Sequence, residues 1–277
     1  MAGDPTAQSS PDPHPGRGYL LDNRVPAAGD RFAAMARLFD PVTLRHVDAL
    51  GIGAGARVWE VGAGGPTIPQ ALADRVGPRG YVIATDIDTT WLPGRPDDAP
   101  YEVRIHDVAA DPAPAGGFDL VHARLVLVHL PQRATALAAM VSALRPGGWL
   151  LVEDADPALQ PLACPDERGP AEALANRLRT GFRQLLAGRG AELGFGRTLP
   201  RSLREAGLVD VEADGYFPIT SPAGAVLEAA TIAHIRAELV EVGLATDGDI
   251  EQHLDNLAGG GLDVTTAPLV SCWGRRK

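Results

Sequence analysis

Acids, glycines and histidines recur in this chain at the ends of short apolar runs, where they could do chemistry. They are Glu60, Gly62, Ala63 and Gly64 in WEVGAGGPTIP, Asp86 in YVIATD, His106 and Asp107 in YEVRIHDV, His122 and Arg124 in FDLVHAR, and His129 in ARLVLVHLPQR. Glycines let a backbone approach a ligand closely and take conformations that a side chain forbids. A carboxylate that closes a strand can accept both hydroxyls of a ribose. Asp107 can accept from an adenine exocyclic amine while the next backbone N–H donates to the ring, and Glu60 can attract a cationic amine. For Asp86 the plainer alternative is a helix N-cap, and for Glu60 a partly buried structural acid.

A dinucleotide is the competing ligand, and it requires G-x-G-x-x-G/A with an acid about 20 residues further on. Asp86 meets that spacing counted from Pro66. Counted from Gly62, however, the third glycine position is Thr67, a poor fit where a helix must pack closely on a strand, and Glu60 has the wrong charge to stand beside a pyrophosphate. The residues favour a ligand with adenosine, no phosphate and an ammonium group at the far end. S-adenosylmethionine is such a ligand. Pro66 and Pro69 do not spoil the turn, because the first four amides of a helix have no intrahelical acceptor and proline is favoured at the first position. The helix is expected to start at Pro66, and Thr67 or Arg124 is left to donate to a cofactor carboxylate.

Positioning these residues takes a parallel sheet. RVWEVG (56 to 62), YVIATD (81 to 86), YEVRIHD (101 to 107), FDLVHAR (118 to 124) and WLLVED (149 to 154) are short β-rich runs, separated by helix-compatible segments such as 67 to 76 and 132 to 144. Near-continuous apolar strands alternating with helices are what a sheet covered on both faces requires. In such sheets ligands bind at the carboxyl ends of the strands, where these polar residues cluster. Before the sheet, Phe32, Met35, Leu38 and Phe39, then Leu44, Val47 and Leu50, have helical spacing, with Pro41 expected to break the helix. After Asp156 come expected helices at 167 to 189 and 222 to 258, a strand at 208 to 217 and a final strand at about 264 to 273. The expected fold class is α/β, a doubly wound, mainly parallel, seven-stranded Rossmann-like sheet with an antiparallel C-terminal edge strand and a helical cap. Its divisions are a disordered tail (1 to 18), an N-terminal helical layer or lid (19 to 51), the core (52 to 156) and the remainder with the cap (157 to 277).

Composition narrows the function. The 277 residues are 45% hydrophobic, enough to bury one good core, and the formal charge of −10, without a basic run, argues against a nucleic-acid surface. No run of about 18 apolar residues suggests a membrane span. The N-terminal MAGDPTAQSSPDPHPGRG has no apolar stretch of the secretory kind, so a cytoplasmic setting is expected. Cys164 and Cys272 form no metal or disulfide pattern and read as small buried residues in a reducing compartment. Trp59 and Trp149 read as core.

The chain resembles the class I S-adenosylmethionine-dependent methyltransferases over roughly residues 30 to 156. WEVGAGG resembles their first motif, VIATDID the acidic second, IHDV the adenine-binding third and LRPGGWLLVED the strand-five signature. The resemblance implies that Gly62, Ala63 and Gly64 border the methionine portion of the cofactor, that Glu60 holds its amine and Asp86 its ribose. It also implies that Ile87 lies against the adenine, that His106, Asp107 and the Val108 backbone surround and read its edge, and that Arg124 lines its tail. Tyr19, in GYLLDNR, is expected on a segment that folds over cofactor and acceptor as a lid or anchors on the core. His129 is the candidate general base, with a pKa in the useful range, and His234 in the cap is a candidate acceptor contact; no metal is expected. The expected activity is methyl transfer to O, N or C of a small-molecule acceptor in secondary metabolism, mainly by proximity and orientation, with a homodimer as the candidate assembly. Two readings stay open beside it: an enzyme that keeps the cofactor intact while cyclising or rearranging its substrate, and a noncatalytic partner of a biosynthetic enzyme.

Overall fold

A computed structural model describes residues 20–21, 27–92 and 100–277. Tyr19 and the tail to Gly18 lie outside the described residues. Seven strands form one sheet: β1 (Arg57–Val61), β2 (Tyr81–Asp86), β3 (Glu102–Ile105), β4 (Phe118–Arg124), β5 (Leu144–Ala155), β6 (Val209–Tyr216) and β7 (Leu269–Arg275), in the order β3-β2-β1-β4-β5-β7-β6. Strands β1 to β5 pair in parallel, and β7 runs antiparallel between β5 and β6. The order reverses between β1 and β4, and that switch point opens a crevice at their carboxyl ends.

Alternation along the central strands explains why they are apolar throughout. Val58, Val82, Leu120 and Leu151 pack on one face with Leu72 and Val76 of α2 (Thr67–Val76) and with Val47 of α1 (Ala27–Ala49). Their neighbours Trp59, Ile83, Val121 and Leu150 pack on the other, with Met140 of α3 (Arg133–Ala143) and Leu199 and Leu203 of α5 (Leu199–Glu205). Successive residues point to opposite faces, so both layers need their own apolar set. Trp59 is fully buried, and its indole N–H donates to Thr85 Oγ1 at 2.9 Å.

Two local expectations shift. Pro41 does not end the first helix: α1 runs unbroken from Ala27 to Ala49 with Pro41 inside it. The lost amide bond is outweighed by an apolar face, since Leu38, Phe39, Val42 and Val47 are all buried on it, each worth roughly 1.5–3 kcal/mol. In α2 the proline positions move by one: Pro66 is the N-cap (φ −82°, ψ −13°) and Thr67 the first helical residue, with Gln70 N donating to the Pro66 carbonyl at 2.9 Å. Both prolines still occupy positions where a missing N–H costs nothing.

Four helices form the C-terminal cap: α4 (Pro170–Gly188), α6 (Pro222–His234), α7 (Arg236–Glu241) and α8 (Asp247–Ala258), of which α4 and α6 line the crevice. They share a core of Leu174, Leu178, Ile232, Ile235, Leu239 and Ile250, in which Leu20 and Leu21 are also buried. Leu20 and Leu21 thus pack against these helices. Cys164 and Cys272 are buried free thiols, and burial pushes Cys272 up to about 12.

Candidate active site

Strand β1 delivers Glu60 and then turns at Gly62 and Gly64, which adopt φ +63° and +61°. A Cβ at Gly62 would fall 2.3 Å from Val126 Cγ2, and one at Gly64 2.7 Å from Phe32 Cε1, so glycine is required twice over, by conformation and by space. Gly62→Ala is expected to cost about 1–2 kcal/mol for the left-handed backbone alone, besides displacing Val126. Thermal unfolding with and without S-adenosylhomocysteine should show both a lower midpoint and a reduced ligand shift.

At the end of β2, Asp86 is 7% exposed; its Oδ2 accepts from Gly64 N at 2.8 Å and its Oδ1 from Asp88 N at 3.0 Å. Burial raises its pKa, against those amide bonds, which favour the ionised form. The acid therefore fixes the glycine turn, and its remaining lone pairs stay available to a ligand. Ile87 follows, 66% exposed and part of the crevice wall. After β3, His106 is buried edge-on against Trp59 at 5.6 Å and bonds the Pro112 carbonyl through Nε2 at 3.0 Å. Asp107 Oδ1 accepts from Ala109 N at 2.8 Å, which turns the chain so that His106, Asp107 and Val108 all line the crevice.

Beneath the glycine turn lies a buried ionic network. Glu60 Oε2 meets His122 Nδ1 at 2.6 Å, and the other ring nitrogen meets Glu153 Oε2 at 3.3 Å. Glu60 and His122 are register partners across β1 and β4, and Glu60, His122 and Glu153 each stand two residues after Val58, Leu120 and Leu151. A period of two therefore puts all three on the face covered by α1. From α1, Thr43 donates to Glu153 and His46 Nδ1 lies 3.2 Å from it, while Ser271 Oγ of β7 donates at 2.7 Å. Burial opposes a charge on His122, but Glu60 and Glu153 override it and raise the imidazole from 6.5 to about 9. Glu153 is likewise held well below the carboxylate range despite its burial, by hydrogen bonds from His122 and His46. An imidazolium between two carboxylates thus keeps Glu60 in place at the crevice floor.

Strand β4 ends in Arg124, which lines the crevice while its guanidinium is held by Asp40 Oδ1 at 2.8 Å and Thr43 Oγ1 at 3.0 Å, both on α1. Leu125 then takes φ +58°, a conformation a bulky residue rarely adopts, held by its N–H donating to the Glu153 carbonyl at 2.8 Å. This swings Val126 over Gly62 and carries residues 127 to 129 into a single 3₁₀ turn. Asp154, fully buried under the Leu127 and Val128 amides, is pushed well above the carboxylate range by burial. His129 lines the crevice, but the expectation of a pKa in the useful range is overturned: burial and the nearby Arg31 charge lower it to about 4. It is neutral at physiological pH and a weak base.

The crevice is a cavity of about 1060 Å³ that runs from the glycine turn to α4 and α6. Glu60, Gly62, Ala63, Gly64, Asp86, Ile87, His106, Asp107, Val108, Arg124 and His129 all line it. His234 is not among the lining residues: it stands about one turn past Thr231, which lines the cavity with Leu227 and Glu228 from the same helix. Arg236 is turned to the surface, paired with Asp247 and Glu251. Among the described residues no group of three or more His, Cys, Asp or Glu side chains could hold a metal ion, and no helix is long and apolar enough to cross a membrane.

Comparison with known proteins agrees with this architecture. Residues 59–152 match the methyltransferase domain family. The methyltransferase str3 of Strobilurus tenacellus is 36% identical over 108 residues, 38% of this chain and 37% of that protein. The nocamycin O-methyltransferase of Saccharothrix syringae is 33% identical over 128 residues, covering 44% of this chain and 45% of that one. Both alignments therefore span less than half of the relative's length. In fold, phosphoethanolamine N-methyltransferase 2 of Haemonchus contortus, solved with phosphomonomethylethanolamine and S-adenosylhomocysteine, superposes with a TM-score of 0.56 at 14% identity, covering 95% of this chain and 61% of that one. Residues 59–152 thus match the methyltransferase domain family, and the chain shares the fold of the superposed methyltransferase structure.

Proposed function

We propose that this chain is an S-adenosylmethionine-dependent methyltransferase that acts on O, N or C of a small-molecule acceptor in natural-product metabolism. One observation carries the reading: a single cavity of about 1060 Å³ joins the strand-end acids and glycines to the wall of α4 and α6. Small-molecule sites generally occupy about 300–1,000 Å³, so this one has room for a cofactor and an acceptor together. The glycine cradle and the three acids fit an adenosine ligand that ends in an ammonium group. Similarity to the nocamycin O-methyltransferase supports the metabolic setting, and buried free thiols suit a reducing, cytoplasmic one.

In this proposal Glu60 holds the cofactor amine, Asp86 the ribose hydroxyls, and Asp107 with the Val108 amide the adenine edge, against Ile87. When bound, the cofactor supplies an electrophilic methyl group on a sulfonium sulfur. The chain's own contribution is alignment of the acceptor and exclusion of water by Phe32, Leu125, Val126 and Leu227, which line the cavity. His129, neutral at pH 7, accepts a hydrogen bond from the acceptor and orients it. His129→Ala should therefore lower kcat by only about tenfold and leave cofactor affinity unchanged; a loss of about 10³-fold or more would instead mark a general base. The function itself is tested by calorimetric titration with S-adenosylhomocysteine and by mass spectrometry of reactions with candidate metabolites. A gain of one methylene mass with release of S-adenosylhomocysteine is expected, whereas undetectable cofactor binding would favour a noncatalytic partner.

A further inference from the structure

We propose that the methyl acceptor is an organic carboxylate and that Arg183 recognises its charge; the inference rests on the methyltransferase reading of the same cavity. Helix α4 presents Arg179, Phe182, Arg183 and Leu186 to the cavity, at positions i, i+3, i+4 and i+7 of one stripe. The two arginines differ in their surroundings. Arg179 is compensated: its guanidinium donates to Glu228 Oε2 at 2.5 Å and to the Thr265 carbonyl at 3.0 Å. Arg183 has no acid within ion-pair reach among the described residues, and its Nε is buried with no hydrogen-bond partner.

A buried donor of this kind is rare in folded proteins and calls for an acceptor. A guanidinium cannot shed its proton to escape, and its planar fork matches a carboxylate in two parallel bonds. Among the described residues nothing in the cavity wall supplies that acceptor. Glu60, Asp86 and Asp107 stand at the strand ends, and Glu228, the acid on the helical side, is already paired with Arg179. The chain as a whole carries −10, so this guanidinium on the wall is not a consequence of composition.

The test uses matched probes, 3-hydroxy-2-naphthoate and its methyl ester, titrated by calorimetry into protein saturated with S-adenosylhomocysteine. The acid should bind at least about tenfold tighter than the ester in the wild type, and Arg183→Gln should cut that preference to within about threefold. Because the Arg183 side chain makes no hydrogen bond or ion pair among the described residues, the variant should keep its melting midpoint, and its affinity for S-adenosylhomocysteine should stay within about twofold of wild type. An acid that binds no tighter than its ester overturns the proposal. So does an Arg183→Gln variant that loses S-adenosylhomocysteine affinity as much as acid affinity, since the guanidinium would then serve the cofactor carboxylate. Failure of S-adenosylhomocysteine to bind the wild type would overturn the methyltransferase reading as well, and is distinguishable because it precedes any probe.

Discussion

Asp86→Ala is expected to lower affinity for S-adenosylhomocysteine by at least about 100-fold. Two losses combine. The substitution removes the proposed acceptor of the ribose hydroxyls, and it leaves the Gly64 and Asp88 amides, now bonded at 2.8 and 3.0 Å, without a partner. The unsatisfied buried amide of Gly64 costs about 1–3 kcal/mol, so the glycine turn loosens where the cofactor must approach it. The fold should survive, because Val82, Ile83 and Ala84 of β2 remain buried in both core layers. Asp86→Asn, which keeps one carbonyl oxygen for Gly64, should fall between the two. Unchanged affinity in the alanine variant would mean that the second motif has been placed in the wrong register.

For stability the largest single effect is expected at Glu153. Glu153→Ala should destabilise the protein by about 3–5 kcal/mol, the range for breaking a buried ion pair from one side. The carboxylate is fully buried and is shared by His122, His46, Thr43 and Ser271, so four groups from α1, β4 and β7 lose their acceptor at once. The same network sets a pH dependence. His122 is raised from 6.5 to about 9, so its contribution is complete below pH 6.5 and is lost as pH rises through about 9. Glu153 is lowered from 4.5, so its contribution is complete above pH 4.5 and fades as pH falls below that. Urea unfolding of the wild type should therefore weaken from about pH 6 to about pH 9.5, and His122→Gln should flatten that alkaline limb. An alkaline limb unaltered in His122→Gln would assign it to other groups.

The sheet was legible in the sequence because each of its first five strands is a short β-rich run closed by polar residues, and the glycine turn because Gly62 and Gly64 leave few other conformations. Helix ends were less so. Pro41 reads locally as a breaker, yet the burial that keeps α1 continuous comes from residues far along the chain. The network beneath the site was hidden for the same reason. Glu60, His122 and Glu153 are separated by 62 and 31 residues, and only strand pairing brings them together. A usable signal did exist: an acid, a histidine and an acid on one face of three neighbouring parallel strands, each two residues past an apolar residue of that face. Arg124 shows the limit at the site itself. Its place on the crevice follows from β4, but its hold by Asp40 and Thr43 depends on where α1 docks. His129 shows it for chemistry, since the shift to about 4 arises from burial and from Arg31, nearly a hundred residues earlier.

The fate of the cofactor methyl group tests the central claim most directly. The protein would be incubated with S-adenosylmethionine carrying an isotopically labelled methyl group and a panel of small phenolic, enolic and amine acids, and both cofactor and products followed by mass spectrometry. The account predicts labelled methyl in a product, with S-adenosylhomocysteine released in equal amount. Substrate turnover with the labelled cofactor recovered intact would contradict it, and would assign the same pocket to a cyclisation or rearrangement.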